Sequence, residues 1–268
     1  MQARKLFPPI LLGLFLLVLW QLSCVLFKIP QYLLPTPWEI TQEIIRSFST
    51  LLFDTAVTCI EAVLGFIIAN ILAFSLAVLM VYVRNLDKAV MPIAIALKTT
   101  PIVAMAPLLL LWVGTGIAPK VMAAALICFF PALVNSIKGF SALHENEEYL
   151  FRIYNASKTQ ILLKLRFFRA SPFIFSALRI SSSLAVVGAI IGEFVGANRG
   201  IGYVILVSSY HLETVRMFAA LAMAAGGGVV FYGVISLFDR SIVTWAETPS
   251  DEIRLESPPK VMIPGGRR

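Results

Sequence analysis

Four ionisable side chains stand inside or at the edge of long apolar runs: Glu61, Lys98, Arg179 and Glu193. A charge at membrane depth is costly, so by default it faces a bundle interior or water. Lys98 is followed by Thr99, Thr100 and Pro101. A cation beside two hydroxyls and a helix breaker could attract an anion at a weak site along a pathway. A snorkelling or paired lysine is the structural alternative. Arg179, near the start of its run, reads as a snorkelling cation. Glu193 precedes the glycine-rich stretch from Gly196 to Gly202. It is either a gate or docking carboxylate or a plain helix-end charge.

The residues needed for bond-making chemistry are missing. The sequence has no P-loop, so the chain does not bind ATP through a Walker A site. Its histidines, His144 and His211, fall in different loops. No H-E-x-x-H, G-x-S-x-G or carboxylate cluster offers a catalytic constellation, so no enzyme activity is expected. Cys24, Cys59 and Cys128 lie in apolar runs without C-x-x-C spacing. They read as small hydrophobes, with no metal site among them.

Lipid must position these charges. Only 14% of the 268 residues are charged, against about a quarter in a soluble domain. With 59% hydrophobic residues and a mean hydropathy of +0.86, the chain cannot cover a water-facing globule. A bilayer core needs about 20 apolar residues of helix. Six stretches meet this, roughly 7–27, 53–83, 89–113, 119–141, 172–195 and 214–245. The first is long for a signal peptide and no A-x-A site follows it, so an uncleaved helix is expected. The fold class is therefore all-α, with six transmembrane helices.

The net charge of +7 is topological. With the N-terminus inside, cytoplasmic segments hold Arg4, Lys5, Arg84, Lys88, Lys138, Arg152, Lys158, Lys164, Arg166, Arg169 and further basic residues towards the C-terminus. The opposite side holds only Lys28, Arg46, Lys120, Arg199 and Arg216. That asymmetry places both termini in the cytoplasm and leaves no need for a nucleic-acid partner. Pro92, Pro101, Pro107 and Pro131 interrupt the spans, as do Gly188, Gly192 and Gly226-Gly227-Gly228. Such breakers are tolerated where neighbours or water satisfy the freed backbone. Pro101 to Pro107 bracket a segment that is either kinked towards a cavity or simply packed.

One cytoplasmic connection is long, about 142–171. An acidic start, His144-Glu145-Asn146-Glu147-Glu148, leads into Tyr149-Leu150-Phe151-Arg152-Ile153-Tyr154. Asn155-Ala156-Ser157 then predicts a turn, because Asn tolerates positive φ and Ser caps a following helix. A second helix runs from Lys158 to Arg166, and Pro172 suits the first turn of the next span. Such a hairpin docks a cytoplasmic partner or lies on the membrane surface.

Residues Asn155 to Ile180 resemble the cytoplasmic loop and following helix of binding-protein-dependent ABC transporter permeases, the type I importer transmembrane subunits. Pro107-Leu-Leu-Leu-Leu-Trp112-Val-Gly114-Thr-Gly116, continuing through Lys120 to Phe129-Phe130-Pro131 and Asn135, is similar to the nitrate, sulfonate and taurine branch. So is Gly188-Ala-Ile-Ile-Gly192-Glu193-Phe194 through Gly200-Ile201-Gly202-Tyr203. The resemblance covers roughly 50–245. The family's coupling signature, E-A-A-x-x-x-G-x9-I-x-L-P, is degenerate here. Tyr149-Leu150-Phe151 replaces E-A-A, Asn155 replaces the glycine, and Phe167-Phe168 replaces L-P. Glu61, four residues before Gly65, stands where many relatives carry a basic residue.

The resemblance implies a MetI-like fold with an N-terminal helix and outer loop (1–52), a permease core (53–245) and a cytoplasmic tail (246–268). It implies an ATP-driven importer for a small polar solute: nitrate, a sulfonate, taurine, bicarbonate or a vitamin precursor. Tyr149, Leu150, Phe151, Tyr154, Asn155, Ala156 and Ser157 would meet the ATPase subunits, which bind the ATP; this chain needs no cofactor. Lys98, Thr99, Thr100 and Glu193 are the candidate path residues. The implied partners are those ATPases, an extracytoplasmic substrate-binding protein, a second permease copy and the lipid of a bacterial inner membrane. A secondary transporter or channel not driven by ATP is the alternative. It would leave the long helical loop unexplained, and no internal repeat supports it.

Overall fold

The structure, a computed structural model, describes residues 2–83, 85–143 and 145–242. Arg84, His144 and the tail 246–268 lie outside the described residues. All regular elements among the described residues are helical: α1 (Gln2–Leu26), α2 (Pro37–Arg46), α3 (Phe48–Tyr82), α4 (Leu86–Thr99), α5 (Ile102–Val113), α6 (Ala118–Ser141), α7 (Glu145–Ile153), α8 (Lys158–Ile161), α9 (Phe167–Glu193), α10 (Ile201–Tyr210) and α11 (Thr214–Ile242). A π-turn, Leu162–Arg166, joins α8 to α9 without a break in the chain path.

Four helical stretches are long and apolar enough to cross a membrane: α3, α6, α8 through α9, and α11. The expected third span takes the kinked alternative. It is two helices, α4 and α5, bent by 100°. The cause is local. Pro101 offers no N–H and disfavours a helical conformation in the residue before it. Thr100 accordingly sits at ψ 124° and Pro101 at ψ 116°, both extended. Within α1, Ile10–Leu26 is a shorter apolar helix. The described residues thus give four full-length spans and one broken one, where six spans were expected.

Pro172 also departs from expectation, since it lies inside α9 and not at its first turn. Proline cannot donate to the carbonyl four residues back. The Ser171 hydroxyl donates to that carbonyl, Phe168 O, at 2.8 Å.

The core is α3, α6 and α9, brought together by small residues. Ala124 of α6 is fully buried between Gly65 of α3 and Gly188 of α9. A Cβ on either glycine would come 2.5 Å from Ala124 atoms. Such close backbone approach is how membrane helices associate without a hydrophobic driving force. A second cluster ties α2 and α10 to α11 through Ile40, Leu51, Ile201, Val204 and Ala220. Neither α2 nor α10 was expected. Yet Thr36-Pro37-Trp38-Glu39 is a full capping box with proline in the first turn, a signal readable in the sequence.

Candidate functional site

The break between α4 and α5 opens a cavity of about 340 Å³. Lys98, Thr99, Thr100, Pro101 and Ile102 line it from the break, Phe129, Phe130 and Pro131 from α6, and Leu184 from α9. Leu184 and Phe130 sit near the middle of their helices, so the cavity lies at mid-span. The Lys98 ammonium rests 4.6 Å from the Phe130 ring centroid, a cation–π contact. Thr99 and Thr100 both donate to Ala96 O, at 3.0 and 2.9 Å. Their hydroxyl oxygens therefore remain as acceptors. Pro131 supplies no N–H to the carbonyl of Ile127, which also lines the cavity.

Glu193 is not part of this cavity. It is fully buried at the end of α9. Its carboxylate accepts from Thr58 Oγ1 at 2.6 Å and from Gly202 N–H at 2.5 Å. Thr58 Oγ1 in turn accepts from Ile201 N–H at 2.8 Å, and Asp54 Oδ1 accepts from Gly200 N–H at 3.1 Å. The first N–H groups of any helix lack intrahelical partners. Here the donors of Gly200, Ile201 and Gly202 at the start of α10 are met by Asp54, Thr58 and Glu193. Gly200 has φ +109°, and a Cβ there would run into the Glu193 carboxylate.

One turn further along α3, Glu61 pairs with Lys120 of α6 at 3.2 Å, both side chains nearly out of solvent. Lys120, counted from the sequence among the few basic residues of the outer side, is a buried partner in the first turn of α6. Sequence reasoning overlooked Asp54, Thr58 and Lys120. The signal was the i, i+4, i+7 spacing of Asp54, Thr58 and Glu61 on one face of an apolar helix. Arg179 pairs with Asp239, near the end of α11, at 3.2 Å.

The α7–α8 hairpin lies at the opposite end of α9 from this polar cluster. Asn155 has φ +54°, its N–H donates to Arg152 O at 2.9 Å, and Ala156 N–H donates to Phe151 O at 3.0 Å. These are the two bonds of a Schellman motif, with Asn in the usual glycine position. Ser157 and Gln160 then form a capping box for α8. Glu148 receives Arg152 at 2.7 Å and Arg166 at 2.6 Å, and Glu147 pairs with Arg169. The Arg152 hydrogen bond, followed by the charge of Arg166, holds the Glu148 carboxyl below the usual carboxylate range. The hairpin is thereby strapped to the start of α9. Tyr149, Leu150, Ile153 and Tyr154 are left exposed, while Phe151 and Ala156 are half-buried.

The fold and these features define a multi-pass helical transport subunit of the type I importer permease architecture. The transmembrane chain of the MetNI methionine ABC transporter, in an inward-facing conformation, superposes with a TM-score of 0.54 at 20% identity, over 79% of this chain and 97% of that one. The chain belongs to the family described as binding-protein-dependent transport system inner membrane component, whose pattern matches residues 63–244. A probable ABC transporter permease protein of Haemophilus influenzae is 32% identical, over 87% of this chain and 94% of its own length. The formylaminopyrimidine transport permease protein ThiX of Halalkalibacterium halodurans is 32% identical over 88% and 95%. The riboflavin transport system permease protein RibX of Chloroflexus aurantiacus is 33% identical over 86% and 87%. The work of this family is membrane transport and not catalysis.

Proposed function

We propose that this chain is the membrane subunit of an ATP-driven importer for a small solute, in a bacterial inner membrane with both termini cytoplasmic. Two copies face each other, each lending its α4–α5 cavity to the path. Separate ATPase subunits bind the ATP and dock on the α7–α8 hairpins. A soluble binding protein delivers solute from outside to the end that carries α10. The substrate classes to try first follow the relatives' names: formylaminopyrimidines, riboflavin, aliphatic sulfonates and taurine.

The observation that carries this reading is the hairpin itself. Its exposed face holds Tyr149, Leu150, Ile153 and Tyr154, between 52% and 80% accessible, whereas Glu147 and Glu148 are occupied in ion pairs with Arg169 and Arg166 at the start of α9. A push on that face therefore has a rigid route into α9. An ion-driven carrier has no use for such a face. In the assembled complex, Asn155→Pro removes the N–H and forbids positive φ, so transport per ATP hydrolysed should fall about tenfold or more. Asn155→Gly, which keeps the motif, should transport normally. Unchanged transport in the proline variant would show that no ATPase acts through this hairpin. The path is tested separately: Lys98→Met should lower the maximal transport rate without altering binding-protein docking.

A further inference from the structure

Three carboxyls meet where the end of α9 packs on α3: Asp54, Glu61 and Glu193, all buried. Asp54 takes the Gly200 N–H, and Glu193 takes the Thr58 hydroxyl on one oxygen and the Gly202 N–H on the other. Glu61 gives one oxygen to Lys120 at 3.2 Å. Its other oxygen, Oε2, is shut off from solvent and receives no donor. Beside it lies the Glu193 carboxyl. Ionised carboxylates only accept hydrogen bonds, so these two cannot satisfy each other. A proton held between them turns the contact into a short, charge-assisted hydrogen bond.

The charge balance agrees. From α6 comes one ammonium, Lys120, and the start of α10 adds roughly half a positive charge. The helix α10 brings no charged side chain. From α11, Gly227 packs against Cys59, a thiol near Glu193 that adds no positive charge. Arg199, in the α9–α10 connection, lies over the Phe53 ring at 5.8 Å. Among the described residues it forms no ion pair with Asp54. Three ionised carboxyls would therefore leave an excess of buried negative charge, which proteins relieve by taking up a proton. Two carboxylates that share a site do not both ionise. A metal cation fits less well than a proton, because the Glu193 oxygens already have donors and the Lys120 ammonium occupies the other side of Glu61.

We infer that Glu61 Oε2 and the Glu193 carboxyl share one proton, taken from solvent as the chain folds, which ties α3 to the end of α9. This holds whatever solute the chain carries. The test is infrared spectroscopy of the full chain at neutral pH, in an ester-free detergent so that no lipid carbonyl overlaps. A protonated carboxylic acid shows a carbonyl stretch above the amide bands that moves down in heavy water; an ionised carboxylate shows none there. The parent should show this acid band. Glu61→Gln should abolish it and stay folded, since its amide N–H₂ donates to Glu193 while its amide oxygen still accepts from Lys120. Glu193→Gln should abolish it as well, and Asp54→Asn should keep it. Thermal unfolding of each variant checks the fold. No acid band in the folded parent, or a band that survives either glutamine substitution in a folded protein, would overturn the inference. So would a parent without the band whose melting temperature rises with sodium, because a metal cation would then hold the pair.

Discussion

Glu61 and Lys120 meet at 3.2 Å between α3 and α6, with side chains 2% and 9% exposed. The second Glu61 oxygen has no donor, and the Glu193 carboxyl lies beside it. Removing the lysine therefore leaves two buried carboxyls with no cation between them. Lys120→Met should cost about 3–5 kcal/mol, as for other broken buried pairs. The double variant Glu61→Gln/Lys120→Met should recover a large part of it. Thermal unfolding in detergent or nanodiscs measures both. A double variant as unstable as Lys120→Met alone would mean that packing, and not charge, holds this contact.

Thr58 bridges three elements through one hydroxyl, accepting from Ile201 N–H and donating to Glu193. Thr58→Val keeps the shape but strands a buried N–H, which costs about 1–3 kcal/mol. Thr58→Ser should restore it. The loss should localise: amide exchange in α10 should rise while that in α6 stays slow. Equal loosening of both helices would refute a local clamp.

The hairpin should respond to acid. The Glu148 pKa is depressed by Arg152 and Arg166, so the folded protein binds the Glu148 proton less readily than the unfolded chain. The stability it adds is present above the unfolded value of about 4.3 and is lost as pH falls through the lower folded value. Protection of the α7 amides relative to α9 should therefore decline on acidification below that point. In Glu148→Gln the Glu148 share of that decline should vanish. A variant with the same pH profile as the parent would assign the effect to other groups.

Accessibility fixes the orientation. Thr159, on the hairpin, and Asn198, beside α10, are both exposed. A cysteine at Thr159 should react with an impermeant maleimide only from the cytoplasmic side. One at Asn198 should react only from outside. The reverse pattern would invert the whole assembly.

The class of protein was legible in the chain before any contact was known. Long apolar runs, lopsided lysines and arginines and a long polar hairpin are local or additive properties, and they survive without knowledge of any contact. Asn155 and Ser157 were legible for the same reason, since turn and cap preferences act within a few residues. Pro101 marked the neighbourhood of the broken span. That the chain would bend by 100° there, and that Phe129 and Phe130 would close the resulting cavity, depended on how α6 packs across it. Glu193, Lys120 and Arg179 show the same limit. Each is an isolated charge in the sequence, open to a gating, exposed or snorkelling reading. Only tertiary structure brings Thr58, Glu61 and Asp239 to them across 135, 59 and 60 residues of chain. The cost of a charge at membrane depth guarantees that partners exist. Which partners they are is decided by the close approach of α3, α6 and α9 over their glycines and alanines, a property of three surfaces together and of no single segment.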